Sequence, residues 1–188
     1  MKNRAYQIIM AFITVMIALA MTRPPSCRAE ELITADKALH QIFHNAKDFQ
    51  RREITLTDVQ VQHIEQKAQL TFAQAHSRDI TYYEVNQDGA VTGYAFEDTV
   101  VGKWGPIHYL VGLNKEGKVM ETVILDYQEI RGRPIAKRRF LRQYTGKSSK
   151  DPLQLRHDID GISGATISSR SLTEGIRKIL FIFEEIKP

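Results

Sequence analysis

The chain has 188 residues, enough for one domain of ordinary size and a leader. Its formal charge of +4 is confined to the first 29 residues, where Lys2, Arg4, Arg23 and Arg28 stand without an acidic residue and leave 22 basic against 22 acidic side chains in the remainder. A remainder with no net charge makes no general case for binding nucleic acid or an anionic membrane, and the single cysteine, Cys27, excludes a disulfide, a cysteine-held iron–sulfur cluster and a c-type haem from residues 30–188.

In chain order, Lys2 and Arg4 precede an apolar run from Ile8 to Met21, then a polar stretch with Pro24 and Pro25 that ends Cys27-Arg28-Ala29. This is the three-part pattern of a secretory signal peptide over residues 1–29, cleaved after Ala29. The apolar run is shorter than the ~20 residues that span a bilayer; counting Ala5 and Tyr6 opens the alternative of an uncleaved anchor. Both readings place residues 30–188 outside the cytoplasm, in the periplasm or at the outer face of the cytoplasmic membrane. From residue 35 to about 47, Ala38, Leu39, Ile42, Phe43 and Ala46 fall on one side of a helix. Thr57 caps a second helix, with Gln60 completing a capping box and Val59, Val61, Ile64 and Ala68 following. Residues 80–85 and 90–96 flank a turn ending in Gly89, and 107–113 and 118–126 flank one ending in Gly117, which predicts two hairpins. Residues 131–150 carry Arg131, Arg133, Lys137, Arg138, Arg139, Arg142, Lys147 and Lys150 with no acidic residue among them. Within that stretch 134–144 reads as a helix with Ile135, Phe140 and Leu141 inward, and its uniform charge suits an acidic partner or a membrane surface. A loop over 146–160 follows. Ser168 and Ser169 offer N-caps for a last helix from Ser171, whose Leu172, Ile176, Ile179, Phe183 and Ile186 share a face. The fold class expected is α+β, a single domain over 30–188 with an antiparallel sheet of hairpins covered by helices.

Between the loop and the last helix stands Asp160-Gly161-Ile162-Ser163-Gly164-Ala165-Thr166. Gly164 and Ala165 leave the backbone around the Thr166 hydroxyl uncrowded. A phosphate carried by Thr166 would lie near the positive end of the following helix, where unpaired N–H groups favour anions. The plain alternative is a turn and cap. The run resembles the flavinylation motif of the FMN-binding domain family: an Asp, two variable residues, a Ser or Thr, then Gly-Ala-Thr. The resemblance implies that Thr166 carries FMN through a phosphoester, and that Asp160, Ser163, Gly164 and Ala165 form the tag read by a flavin transferase that cleaves FAD. That family includes the small extracytoplasmic flavin subunits of Rnf-type and sodium-translocating NADH:quinone reductase complexes and many stand-alone exported carriers.

Three further elements resemble that family. Trp104, in Lys103-Trp104-Gly105-Pro106, matches a tryptophan that packs on the flavin, the alternative being a core tryptophan buried for its area. Glu129 and Gly132 stand where the respiratory subunits carry a Glu-Thr-Pro-Gly-Leu-Gly loop; the Thr, Pro and Leu are missing, which points to the stand-alone branch. Arg131 or Arg133 beside the ring would favour its anionic reduced form. Lys147 resembles a Gly-Lys element that approaches the flavin or its phosphate.

Other motifs are weaker. Arg131-Gly132-Arg133-Pro134 spells the core of a minor-groove reader, but an exported chain meets no chromosome, so no nucleic acid is expected. Gly146-Lys147-Ser148 lacks the earlier glycine of a phosphate loop, because Leu141 stands there. His40 and His44 share a helix face without a His-Glu-x-x-His pattern, so no metal is expected. The reading is an exported electron carrier with FMN as cofactor. Its partners are the flavin transferase and redox proteins such as cytochromes or membrane quinone-linked complexes. The alternatives are a flavin-dependent reductase of a small molecule and a redox-sensing or assembly module.

Overall fold

The computed structural model describes residues 30–71, 78–127 and 133–187. The leader with Cys27, and Glu129, Arg131 and Gly132, lie outside the described residues. Chain order is β1 (Glu30–Glu31), α1 (Ala35–Ile42), β2 (Asp48–Thr55), α2 (Asp58–Ala68), β3 (Asp79–Gln87), β4 (Ala90–Val101), β5 (Pro106–Asn114) and β6 (Val119–Tyr127). A 3-10 turn (Arg133–Ala136), α3 (Arg138–Leu141), a second 3-10 turn (Arg142–Tyr144) and α4 (Thr166–Ile186) follow. The strands form one antiparallel sheet in the order β1-β6-β5-β4-β3-β2, so the α+β class and the hairpins both hold. Gly89 and Gly117 take φ of 81° and 78° in the two hairpin turns.

Strand alternation sends side chains to two faces, and each has its own core. On one, Tyr82, Phe96, Tyr109 and Val111 meet α2, α4 and the 135–144 segment; on the other, Val85, Ala95, Leu110 and Val123 meet α1. Helix α1 stops at Ile42, short of the expected 47. Phe43 and Ala46 are buried all the same, because the chain turns over the sheet and the Phe43 ring fills the space above Gly93 and Gly112. The capping box of α2 is present: Thr57 N donates to Gln60 Oε1 at 3.0 Å and Gln60 N to Thr57 Oγ1 at 3.3 Å. The expected helix over 134–144 is broken at Lys137, whose backbone is extended, yet Ile135, Phe140, Leu141 and Tyr144 all turn inward.

Strand β2 has no counterpart among the elements predicted from sequence. It pairs with β3 from Asp48↔Asn86 to Thr55↔Asp79, and as an edge strand it leaves most side chains in solvent, so it lacks the apolar alternation that marks a strand. Its charged residues, with Arg52 paired to Glu84 at 3.1 Å, also suit an edge that must not recruit another chain.

Helix α4 runs antiparallel to β4. Its start lies by Lys103, its middle against Val100 and Tyr109, and Phe183 near its end packs on Tyr94 at 5.4 Å. The start of α4, the β4–β5 turn and the end of β6, where Tyr127 pairs with Ile107, therefore gather at one end of the sheet. Among the described residues no helix is long and apolar enough to cross a membrane.

Candidate functional site

Thr166 is the first residue of the 21-residue α4, and Ala165 is its N-cap with no side-chain hydrogen bond. This corrects the expected start at Ser171 and the expected capping serines. Ser168 and Ser169 lie within the first turns and are buried, because their hydroxyls serve tertiary contacts: Ser168 Oγ accepts from Lys103 N at 3.2 Å and Ser169 Oγ from Ile162 N at 3.2 Å. The two bonds tie the β4–β5 turn and the motif loop to the same helical turn. Thr166 itself is exposed, and the N–H groups of an α-helix's first turn have no intrahelical acceptor.

The motif loop folds tightly into that helix. Ala165 N donates to Ile162 O at 3.0 Å, and Gly164 sits at φ of 80° between them. No atom lies within 4 Å of where a Cβ at Gly164 would be, so the glycine is required by its backbone and leaves open space beside Thr166. Ser163 and Asp160 are exposed and Ala165 is buried. The backbone of Asp160 is held from a distance: its N–H donates to Gln143 Oε1 at 2.8 Å, and its carbonyl accepts from Gln143 Nε2 at 3.2 Å.

Tyr144, next to Gln143, is buried, and its hydroxyl meets Thr173 Oγ1 at 2.8 Å while Thr173 donates to Ser169 O at 2.7 Å. Burial pushes the Tyr144 phenol well up, so it stays protonated. The segment 138–144 is thus bolted to both the motif and the helix that follows. Sequence alone does not single out Gln143 or Tyr144; a Gln and a Tyr at the end of a basic stretch carry no local signal for partners 17 and 29 residues away.

Trp104 lies at the tip of the β4–β5 turn, closed by Gly102 N donating to Gly105 O at 2.8 Å. It is 55% exposed, with Lys103 Nζ 4.8 Å from its ring centroid, so it is not a core tryptophan. Lys147 pairs with Asp158 at 2.8 Å. Asp158 also accepts from Leu153 N and Gln154 N, and so organises the loop before the motif. Burial alone would raise the Asp158 carboxyl, but the Lys147 ammonium and the two N–H donors outweigh it and hold it below its ordinary value. The structure therefore brings Asp160, Ser163, Gly164, Ala165 and Thr166 together beside the turn bearing Trp104, with Lys147 in the supporting loop. Glu129 and Gly132 fall just past the end of β6 and outside the described residues.

An exposed hydroxyl beside open space, on the first residue of a helix without a side-chain cap, is a fit for an esterified phosphate. Residues 102–180 match the FMN-binding domain. Over 112 residues the chain is 27% identical to a component of the ion-translocating oxidoreductase complex of Stutzerimonas stutzeri, a match that takes in 54% of this chain and 49% of that protein. The chain thus spans about half the length of that relative. The crystal structure of a component of the Na(+)-translocating NADH-quinone reductase from Parabacteroides distasonis superposes with a TM-score of 0.51 at 16% identity, covering 81% of this chain and 83% of that one.

Proposed function

We propose that this chain, whose residues 102–180 match the FMN-binding domain, is an extracytoplasmic electron carrier with FMN as its cofactor, held by a phosphoester on Thr166. The observation that carries the reading is the exposed Thr166 at the uncapped N-terminus of α4, inside a complete Asp160–Thr166 motif. When bound, FMN supplies one- and two-electron chemistry. The chain supplies the anchor and the surroundings. The first-turn N–H groups and the dipole of α4 would hold the phosphate anion. Trp104 offers an indole face at the adjacent turn, and Lys147, through Asp158, keeps the preceding loop in place. Glu129 and Gly132 belong to the segment that follows β6 in the chain.

Attachment requires no redox change. Thr166 Oγ bonds to the flavin-side phosphorus of FAD, the bond to the adenylate breaks, AMP leaves, and the hydroxyl proton passes to solvent. A flavin transferase performs the step in this reading. The permanent bond matters outside the cytoplasm, where a dissociated flavin is lost.

Co-expression with a flavin transferase is expected to give a fluorescent band that survives denaturation and a mass gain of FMN less one water. Thr166→Ala and Thr166→Val remove the only oxygen that forms the ester, and both should lose the band. Ser163, Ser168 and Ser169 are internal controls, since indiscriminate labelling would move to them. The same intact mass reads the N-terminus, expected at residue 30 after export. Fluorescence that persists in denatured Thr166→Ala protein, or folded wild type that never acquires flavin, would overturn the proposal.

A further inference from the structure

Asp160, the first residue of the motif, is gripped by one side chain that approaches from 17 residues upstream. The Gln143 carboxamide accepts from the Asp160 N–H and donates to the Asp160 carbonyl, the same exchange that two facing residues make through their backbone N–H and C=O in an antiparallel sheet. We infer, resting on the proposal that Thr166 is esterified, that Gln143 is a positioning residue for that modification: it fixes the backbone at Asp160 so that the Asp160 carboxylate and the Thr166 hydroxyl meet the transferase in one geometry.

Three observations support the assignment. First, the span from Asp160 to Thr166 contains Gly161 and Gly164, and a Cβ at Gly161 would find only Leu155 methyl groups, at 3.8 Å. Such a span is costly to order unless its ends are held. Secondly, the downstream part of the span is held by α4 itself, through Ile162 N to Ser169 Oγ, and the upstream loop is held by Asp158. The Gln143 clamp lies between those two anchorages, at the residue whose carboxylate the transferase has to find. Thirdly, Gln143 is itself fixed relative to Thr166, because the adjacent Tyr144 is joined to α4 through Thr173. The clamp therefore closes a rigid triangle of segment 142–144, Asp160 and the start of α4.

The residue type matters. A carboxamide donates and accepts at once, as a peptide does; an ionised carboxylate only accepts, and a leucine does neither. Gln143→Glu keeps the bond from the Asp160 N–H and loses the bond to the Asp160 carbonyl, and Gln143→Leu loses both.

The test measures kcat/KM for covalent labelling of the full chain by a flavin transferase with FAD, at a temperature well below the melting point of every variant. Wild type is labelled, Gln143→Leu is slowed about tenfold or more, and Gln143→Glu falls between them, while the melting temperatures stay close. In the unlabelled proteins, hydrogen exchange at the Asp160 and Gly161 amides is faster in Gln143→Leu, with the amides in the middle of α4 as protected as in wild type. If Gln143→Leu does not fold, Gln143→Ala, which also removes both bonds, carries both measurements. Wild-type labelling of a folded Gln143 variant, or unchanged exchange at Asp160, would overturn the role of Gln143 and leave the Thr166 assignment standing. Wild type that is not labelled at all would overturn both.

Discussion

At the scale of single residues, the clearest electrostatic unit outside the motif is His108 on the sheet face that carries α1. Its Nε2 lies 2.9 Å from Glu97 Oε1 and its Nδ1 3.3 Å from Asp126 Oδ2, and Tyr83 donates to the other oxygen of Glu97 at 2.9 Å. The bond to Glu97 raises the His108 pKa above its ordinary 6.5 against the opposing effect of burial. The same bond lowers Glu97 below its ordinary 4.5, again against burial, with Tyr83 assisting. Stability from a raised histidine is complete below its unfolded value and is lost as pH climbs through the folded one. Stability from a depressed carboxylate is complete above its unfolded value and is lost as pH falls through the folded one. The pair therefore supports the fold most between about 4.5 and 6.5. Urea unfolding is expected to show stability falling between pH 6 and pH 9, and His108→Gln should flatten that fall. If the variant loses as much stability over the range as wild type, the attribution to His108 is wrong.

At the scale of elements, the seating of α4 on the sheet depends on Gly175. A Cβ there would lie 2.7 Å from Val100 Cγ1 and closer still to the Tyr109 hydroxyl, and Tyr109 is fully buried with its hydroxyl donating to Asp98 at 2.8 Å. Asp98 also pairs with Lys178, one helical turn beyond Gly175, at 2.7 Å. Helix propensity alone makes Gly175→Ala stabilising by up to ~1 kcal/mol. The clash is with two side chains that have little room to give, the short Val100 and the buried Tyr109 held by Asp98, so the opposite sign is expected, a loss of about 1–3 kcal/mol. Chemical denaturation of Gly175→Ala, Tyr109→Phe and the double variant resolves the cause. Removing the hydroxyl should return part of what the alanine costs, and a double variant whose loss is the plain sum of the two would show that the hydroxyl is not the obstacle. A shifted α4 would also move Thr166, so the labelling rate of Gly175→Ala should drop with its stability.

At the scale of the whole molecule, the segment that fixes the motif also bears its strongest charge. Lys137, Arg138, Arg139 and Arg142 are all exposed and form no ion pair among the described residues. Arg138 and Arg142 edge a groove of about 890 Å³ with Met120, Ile124 and Leu141 on its walls. Arg142 is next to Gln143, so an acidic redox partner seated on this strip would touch the segment that holds the backbone of Asp160. Electron transfer with such a partner is expected to slow as salt rises. Replacing Arg138, Arg139 and Arg142 by serine should slow it at low ionic strength and remove most of the salt dependence. Stopped-flow rates that are the same for both proteins at low salt would dismiss the strip as a docking surface.

Local chemistry made much of this protein legible from its amino acids alone. The two hairpins, the capping box at Thr57 and Gln60, the inward faces of α1, α2 and α4, and the Asp160–Thr166 run all rest on residues a few positions apart, whose spacing and backbone preferences act before any tertiary contact. Tertiary structure decided the rest. Edge strand β2 exists because β3 offers its free backbone groups, not because its own side chains alternate. Ser168 and Ser169 look like caps in isolation, yet they accept bonds from Lys103 and Ile162 that exist only once α4 lies on the sheet. Gln143 and Gly175 carry no periodic or motif signal. Their roles, a grip on Asp160 and room for the Tyr109 hydroxyl, are set by groups 17 and 66 positions away. A hydrogen bond or a close approach between residues so far apart depends on where the whole chain has already folded, and no window of sequence contains that information.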